Sequence, residues 1–244
     1  MPRVSSRPRP NAKLVQPSPE TPPSDSVMIP SHPEGLRRVL NLLVASVALV
    51  AVSPLMVLIA VVVKCTSRGP IFYSQTRVGL DRRGRSAAAR NLRRSNDLGG
   101  RPFRIYKFRT MCMNAEQLTG AVWATRGDPR VTMVGRFLRE YRLDELPQLL
   151  NVIKGDMNIV GPRPERPTIF ADLRTKVTDY SLRQRVRPGI TGLAQITQHY
   201  DASLDDVRQK VHHDVEYIRQ QGFVEDFRIM LRTIPVVLFR RGGW

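Results

Sequence analysis

The dominant pattern along the chain is an apolar run from Leu40 to Val63, with no charged side chain between them. As a helix rising about 1.5 Å per residue it would measure roughly 36 Å, enough to cross a hydrocarbon core of about 30 Å. Ser53 and Pro54 interrupt the run near its middle. A proline there cannot donate to the carbonyl of residue 50, and its ring crowds that carbonyl. The pattern therefore predicts a helix that kinks or splits into two arms, neither long enough to span alone. Arg37 and Arg38 precede the run, and Lys64 and Arg68 follow it. Basic flanks favour the cytoplasmic side, so two topologies fit: a proline-kinked spanning helix, or a re-entrant hairpin that dips into one leaflet and returns.

The rest of the chain alternates short elements. Residues 1–35 are rich in Pro and Ser without apolar periodicity and read as a disordered cytoplasmic tail. The apolar run starts too late and is too long for the core of a cleaved leader. Pro70–Gln75 and Pro102–Phe108 read as two strands pairing as a hairpin. Between them lies a basic insertion, 82–100; residues 82–109 hold ten basic side chains against one acid, Asp97. A solvated loop and a contact for anionic headgroups both fit it. Val134, Phe137, Leu138 and Tyr141 fall at helical spacing, and a second helix is predicted from about Glu145 to Lys154, stopping at Gly155. Met157–Val160 reads as a strand, Gly161–Pro164 as a rigid turn and Leu204–Gln221 as an amphipathic helix. Phe227–Phe239, followed by Arg240, Arg241 and Trp244, suits a helix lying in the headgroup layer as well as core packing. The expected fold is α+β and mostly helical: an N-terminal membrane helix-break-helix over 36–66, a short β-hairpin, and one globular domain over 67–244 with amphipathic interfacial helices.

Composition narrows the partners. The 244 residues leave room for one domain with its own core. The net charge is +18, from 39 basic and 21 acidic side chains, and that much self-repulsion asks for an anionic partner. The membrane segment favours anionic lipid. No aromatic-interleaved recognition module covers the Arg-rich run, so nucleic acid is not expected. A non-catalytic, membrane-tethered basic adaptor binding anionic lipid or nucleic acid is the alternative from another class. Cys65 and Cys112 lack metal-ligand spacing and read as incidental thiols in a reducing compartment.

The segment Arg142–Leu150, RLDELPQLL, holds the candidate chemistry. Asp144 is placed to cap the following helix, with Pro147 in its first turn. An Asp-Glu pair at a helix start is ordinarily a complement to the helix dipole. Yet a carboxylate held there would keep a low pKa, and the amides nearby could receive a phosphate. Two adjacent carboxylates divide naturally into a nucleophile and a metal ligand. Phosphoryl transfer between anions also needs cations, and Lys107, Arg109, Arg139 and Arg163 are the candidates.

These motifs resemble those of the bacterial sugar transferases that act on polyprenyl phosphate, the monotopic phosphoglycosyl transferases. The likeness runs from about Leu36 to Trp244: the Ser53-Pro54 break, then PIFYSQTRVG (70–79), PFRIYKFRTM (102–111), DPRVTMVGRFLRE (128–140), LDELPQLLNVIKGDMNIVGPRPE (143–165) and RPGITGLAQI (187–196). The resemblance implies transfer of a sugar 1-phosphate from a UDP-sugar to undecaprenyl phosphate with release of UMP, initiating a polysaccharide or glycoconjugate. It makes Asp144 the nucleophile that carries a covalent phosphosugar, and Glu145, with Asp144 beside it, the holder of Mg²⁺. It places phosphates against Lys107, Arg139 and Arg163, and the nucleotide and sugar against Arg187–Gln195, with Arg187 a further substrate contact. It favours the re-entrant topology at the cytoplasmic face of the inner membrane, among anionic lipids. Two departures stand out: family members pass from RVG to the second strand through a very short turn where this chain has its insertion, and the larger members' upstream bundle of four spanning helices is not expected here.

Overall fold

A computed structural model describes residues 34–81, 99–113, 115, 128–198 and 203–239. The expectations for the tail, for nearly all of the insertion (82–98) and for Arg240, Arg241 and Trp244 fall outside them.

Helix α1 runs unbroken from Glu34 to Thr66, straight through Pro54. The predicted split is absent. The carbonyl that Pro54 leaves without its amide partner is that of Val50, and the Ser53 hydroxyl donates to it instead at 2.8 Å, so the Ser-Pro pair repairs the bond it removes. Pro54 shares an exposed face with Leu43, Val47, Val50, Val57 and Val61, and Val50 is 74% exposed. Among the described residues α1 is the one helix long and apolar enough to cross a membrane.

The opposite face of α1 packs on the globular body along its whole length. Ala45, Ala48, Leu49 and Val52 join Phe103, Ile105, Leu149, Val152 and Met157 in one apolar cluster; past the proline, Ile59 and Val63 join Phe108 and Leu138 in another. Polar ties fix its N-terminal end. Arg38 donates to the carbonyls of Val152 and Ile153 at 2.5 and 2.6 Å, Arg37 bonds Asp226, Gln221 and Tyr217, and Asn41 accepts from the Ile159 amide at 2.6 Å.

The expected hairpin forms from β1 (Phe72–Val78) and β2 (Pro102–Phe108), antiparallel, with Tyr73 opposite Lys107 and Val78 opposite Pro102. In β2, Phe103 and Ile105 are buried and Arg104 between them is exposed, the alternation that had marked this strand in the sequence, while Phe108 is buried out of that phase. Helix α2 (Met133–Glu140) follows, capped by the Thr132 hydroxyl accepting from the Gly135 amide at 2.9 Å. Gly135 is obligatory for packing, since a Cβ there would lie 2.0 Å from the Thr110 carbonyl oxygen.

A 3₁₀ helix (Leu143–Gln148) then leads into the short α3 (Leu149–Lys154), which ends at Gly155 with φ 85°, as a left-handed C-cap should. This corrects the single helix predicted over 145–154, and Asp144 is not its cap: the cap position belongs to Arg142, and Asp144 lies inside the 3₁₀ turn. Strand β3 (Asn158–Val160) pairs in parallel with β4 (Gly189–Thr191). The chain between them forms α4 (Pro167–Lys176) and a second 3₁₀ helix (Tyr180–Arg185), neither of which the sequence pattern had suggested. After α5 (Leu193–Thr197), α6 (Leu204–Gln220) opens with the capping box of Ser203 and Asp206. In helix α7 (Phe223–Leu238) Ile229 is fully buried, as core packing expects, while Phe223, Phe227, Leu231, Ile234 and Leu238 form an exposed apolar stripe.

Candidate active site

Three local features aim side chains at one point. Lys107 comes from β2 near the end of the hairpin; Asp144 and Glu145 come from the 3₁₀ turn; Arg163 comes from the GPRP turn after β3. The Lys107 ammonium lies 2.7 Å from Glu145 Oε1 and 3.7 Å from Asp144 Oδ2. The Arg163 guanidinium lies 2.6 Å from Glu145 Oε1, and Arg142 reaches Glu145 Oε2 at 3.9 Å. Both carboxylates are 6% exposed.

The two acids are not equivalent. Burial opposes ionisation of Glu145, but Arg163 and Lys107 outweigh it and hold this carboxyl well below the usual glutamate range. Asp144 goes the other way: burial pushes it up, Lys107 pulls it back only in part, and the charge of Glu145 adds to the rise. The sequence expectation of a low pKa from a helix start is thereby corrected, because Asp144 sits within a 3₁₀ turn and Glu145 takes the closer cations. Among the described residues, no hydrogen bond reaches the Asp144 carboxylate. Among those residues Glu145 has two close cations, Lys107 and Arg163; Asp144 has Lys107 alone, at 3.7 Å.

The scaffold around this pair is held by residues the sequence reading missed. Asn151 is fully buried, and its side chain donates to the Arg104 carbonyl at 2.7 Å and accepts from the Tyr106 amide at 3.1 Å. It pins α3 to the strand that bears Lys107. Its signal in the sequence was a polar residue at an apolar position of LLNVIK. Arg183 and Asp214, both 2% exposed, pair at 2.7 Å, and the same guanidinium donates to the Arg163 carbonyl at 3.0 Å, which fixes the GPRP turn. Arg77 adds a bond to the Pro164 carbonyl at 3.2 Å. Arg142, next to the acidic pair, has φ 54° and ψ 19°, a left-handed conformation that costs a non-glycine residue energy and is concentrated at functional sites.

The other candidates divide. Arg139 lies close enough to lower the Asp144 carboxyl, and its Nε donates to Thr110 Oγ1 at 2.9 Å. Arg109 is not brought to the pair. It is 6% exposed and directed at the C-terminal end of α1, donating to the Ser67 carbonyl and hydroxyl, both at 2.7 Å. Arg187 is half-buried in the segment leading to β4, which pairs with β3. Ser53 and Pro54 lie on the outward face of α1, away from the acids. Among the described residues, no group of three or more His, Cys, Asp or Glu side chains could hold a metal. The donor set is two adjacent carboxylates, which suits Mg²⁺: that ion commonly binds through one or two carboxylates and completes its shell with water and substrate phosphates.

Comparison with known proteins shows what the chain is similar to. A family model for bacterial sugar transferases matches residues 33–240. A UDP-N-acetylgalactosamine-undecaprenyl-phosphate N-acetylgalactosaminephosphotransferase of Aeromonas hydrophila is 42% identical, covering 83% of this chain and 44% of that relative. A UDP-glucose:undecaprenyl-phosphate glucose-1-phosphate transferase of Caulobacter vibrioides is 38% identical over 83% of this chain and 69% of its own length. The exopolysaccharide production protein ExoY of Sinorhizobium fredii is 36% identical over 85% of this chain and 88% of its own. This chain thus spans less than half of the first of these and most of the last.

Proposed function

The chain belongs to the bacterial sugar transferase family, and from that premise we propose that it is a phosphotransferase moving a sugar 1-phosphate from a UDP-sugar to undecaprenyl phosphate. The observation that carries the reading is the buried Asp144 carboxylate, 3.7 Å from Lys107 and bonded to no described donor, beside a Glu145 that already holds two cations.

In the first step Asp144 Oδ attacks the phosphorus that bears the sugar; the new O–P bond forms as the bond to the bridging oxygen breaks, and UMP departs with that electron pair. In the second, a phosphate oxygen of the lipid acceptor attacks the same phosphorus and returns Asp144 as its carboxylate. Splitting the transfer this way replaces one meeting of two anionic substrates with two easier steps. Lys107 favours the ionised form of Asp144 against its burial, and Arg163 and Arg139 offset the charge that spreads over the transferring phosphoryl oxygens. Mg²⁺, held by Glu145 with Asp144 beside it, would neutralise the diphosphate.

We also infer that α1 lies in one leaflet rather than crossing the bilayer. Support comes from its packing: both ends and both arms rest on the same charged body, and a crossing helix would carry that body into hydrocarbon at several kcal/mol per unsatisfied group. With its polar body on the cytoplasmic side, such a helix brings Asp144 to the depth of lipid phosphates. The product would start a polysaccharide or glycoconjugate. Purified protein given Mg²⁺, UDP-sugar and undecaprenyl phosphate should release UMP, and Asp144→Asn should abolish the release; undiminished turnover in that variant refutes the assignment.

A further inference from the structure

A cavity of about 280 Å³ lies between α1 and α7. Ala48 and Val52 line it from α1, Ile190 and Ile196 from the β4–α5 segment, and Val236 and Val237 from α7. Leu143, Leu146 and Leu149 extend this apolar wall to the 3₁₀ turn, and Arg142 and Glu145 line the same cavity. We propose that this cavity receives the first isoprene units of the lipid acceptor, so that its phosphate emerges beside Asp144. The proposal rests on the transferase reading and locates one substrate within it.

Three observations favour a prenyl chain over the donor's sugar or base. On the β4, α5 and α7 side of the wall the polar groups are nearly all committed: the Thr191 and Thr233 hydroxyls bond each other at 2.8 Å, and the Gln195 amide nitrogen donates to the Ile190 carbonyl at 3.0 Å. Gln195 Oε1 is left as the one open buried acceptor among these side chains, too few convergent groups for a polyol, which needs several to fix its orientation. The cavity is walled by the two helices whose outward faces carry the longest exposed apolar stripes, Leu43 to Val61 on α1 and Phe223 to Leu238 on α7. A prenyl chain leaving the cavity between these two helices would meet surfaces suited to lie in lipid. Finally, its charged wall is complementary to a phosphate: Glu145 is neutralised by Lys107 and Arg163, and Arg142 stands beside it. At about 280 Å³ the space is near the lower limit of roughly 300 Å³ for ligand pockets, so it takes the head of a long chain and leaves the remainder to the bilayer.

The test is photo-crosslinking of the full-length protein in nanodiscs, using a farnesyl phosphate that carries a diazirine on its first isoprene unit. Crosslinks should map to Val236, Val237 or Ala48 and be displaced by undecaprenyl phosphate but not by undecaprenol. In parallel, Val237→Trp should raise KM for undecaprenyl phosphate by about tenfold or more, the loss expected when about two buried methylenes are excluded. Crosslinks confined to outward residues such as Val47 and Val50, displacement by UDP-sugar in place of the lipid, or an unchanged acceptor KM in Val237→Trp would each overturn the proposal. Labelling of the wild-type protein by donor alone reports on the transferase reading separately, so the two can fail independently.

Discussion

Removing the ammonium nearest Asp144 should move the pH at which the protein becomes competent. Lys107→Met deletes a charge 3.7 Å from Asp144 Oδ2, a separation at which two unit charges interact by about 4 kcal/mol at an effective dielectric near 20. Because Lys107 also faces Glu145 at 2.7 Å and Arg139 and Arg163 still act on Asp144, only part of that interaction appears as a further rise of the Asp144 carboxyl. The sign is unambiguous. The Asp144 carboxyl already lies above 3.8, attack requires the ionised form, and losing a cation raises it further, so the acidic limb of the rate profile moves to higher pH. The assay is single-turnover UMP release measured from about pH 5 to about pH 9 in both proteins. The variant should lose most at acid pH and recover as pH rises. If the rate falls by one constant factor at every pH and the limb stays in place, Lys107 acts only as a phosphate ligand and the electrostatic argument is refuted.

Three further outcomes follow from the packing. Arg109→Met should leave KM for the UDP-sugar within about twofold while lowering stability by about 1–3 kcal/mol, since it strips the Ser67 carbonyl at the end of α1 of its donor; a large rise in donor KM at unchanged stability would make Arg109 a substrate ligand after all. Asn151→Leu strands the Arg104 carbonyl and the Tyr106 amide and should cost about 2–4 kcal/mol in denaturant unfolding in micelles, with a wild-type midpoint counting against its role as a pin. Single cysteines at Gly35 and Ser67, in a background with Cys65 and Cys112 replaced by serine, should both react with an impermeant maleimide from the same side of a sealed vesicle, whereas reaction from opposite sides would show that α1 crosses.

What could be read from the sequence was what local chemistry decides. The period-two alternation of PFRIYKF marked β2, the amphipathic pattern marked α6, and the long apolar run marked α1. The acidic pair and two of its cations, Lys107 and Arg163, were also legible, because a charged cluster in short motifs carries its chemistry in residue type. What failed depended on tertiary contact. Pro54 predicted a split, but Ser53 supplied the missing donor to Val50. Asp144 looked like a cap with a low pKa, yet its ionisation is governed by burial and by how Glu145 shares Lys107 and Arg163. Arg109 sat in the same motif as Lys107, but it lies one residue past the end of β2, where the alternation that would put the two on one face no longer holds, and it bonds the end of α1 instead. Asn151 and the Arg183–Asp214 pair were invisible because their partners lie far along the chain, where no spacing rule reaches.

The most direct trial of the account is to trap its intermediate. Purified protein is mixed with Mg²⁺ and UDP-sugar labelled in the sugar-bearing phosphate, without acceptor, then digested and mapped by mass spectrometry. The account predicts a sugar phosphate on the peptide containing Asp144, released by hydroxylamine, discharged by undecaprenyl phosphate and absent from Asp144→Asn. UMP formed only when acceptor is present, with no label on the protein at any time, would contradict it.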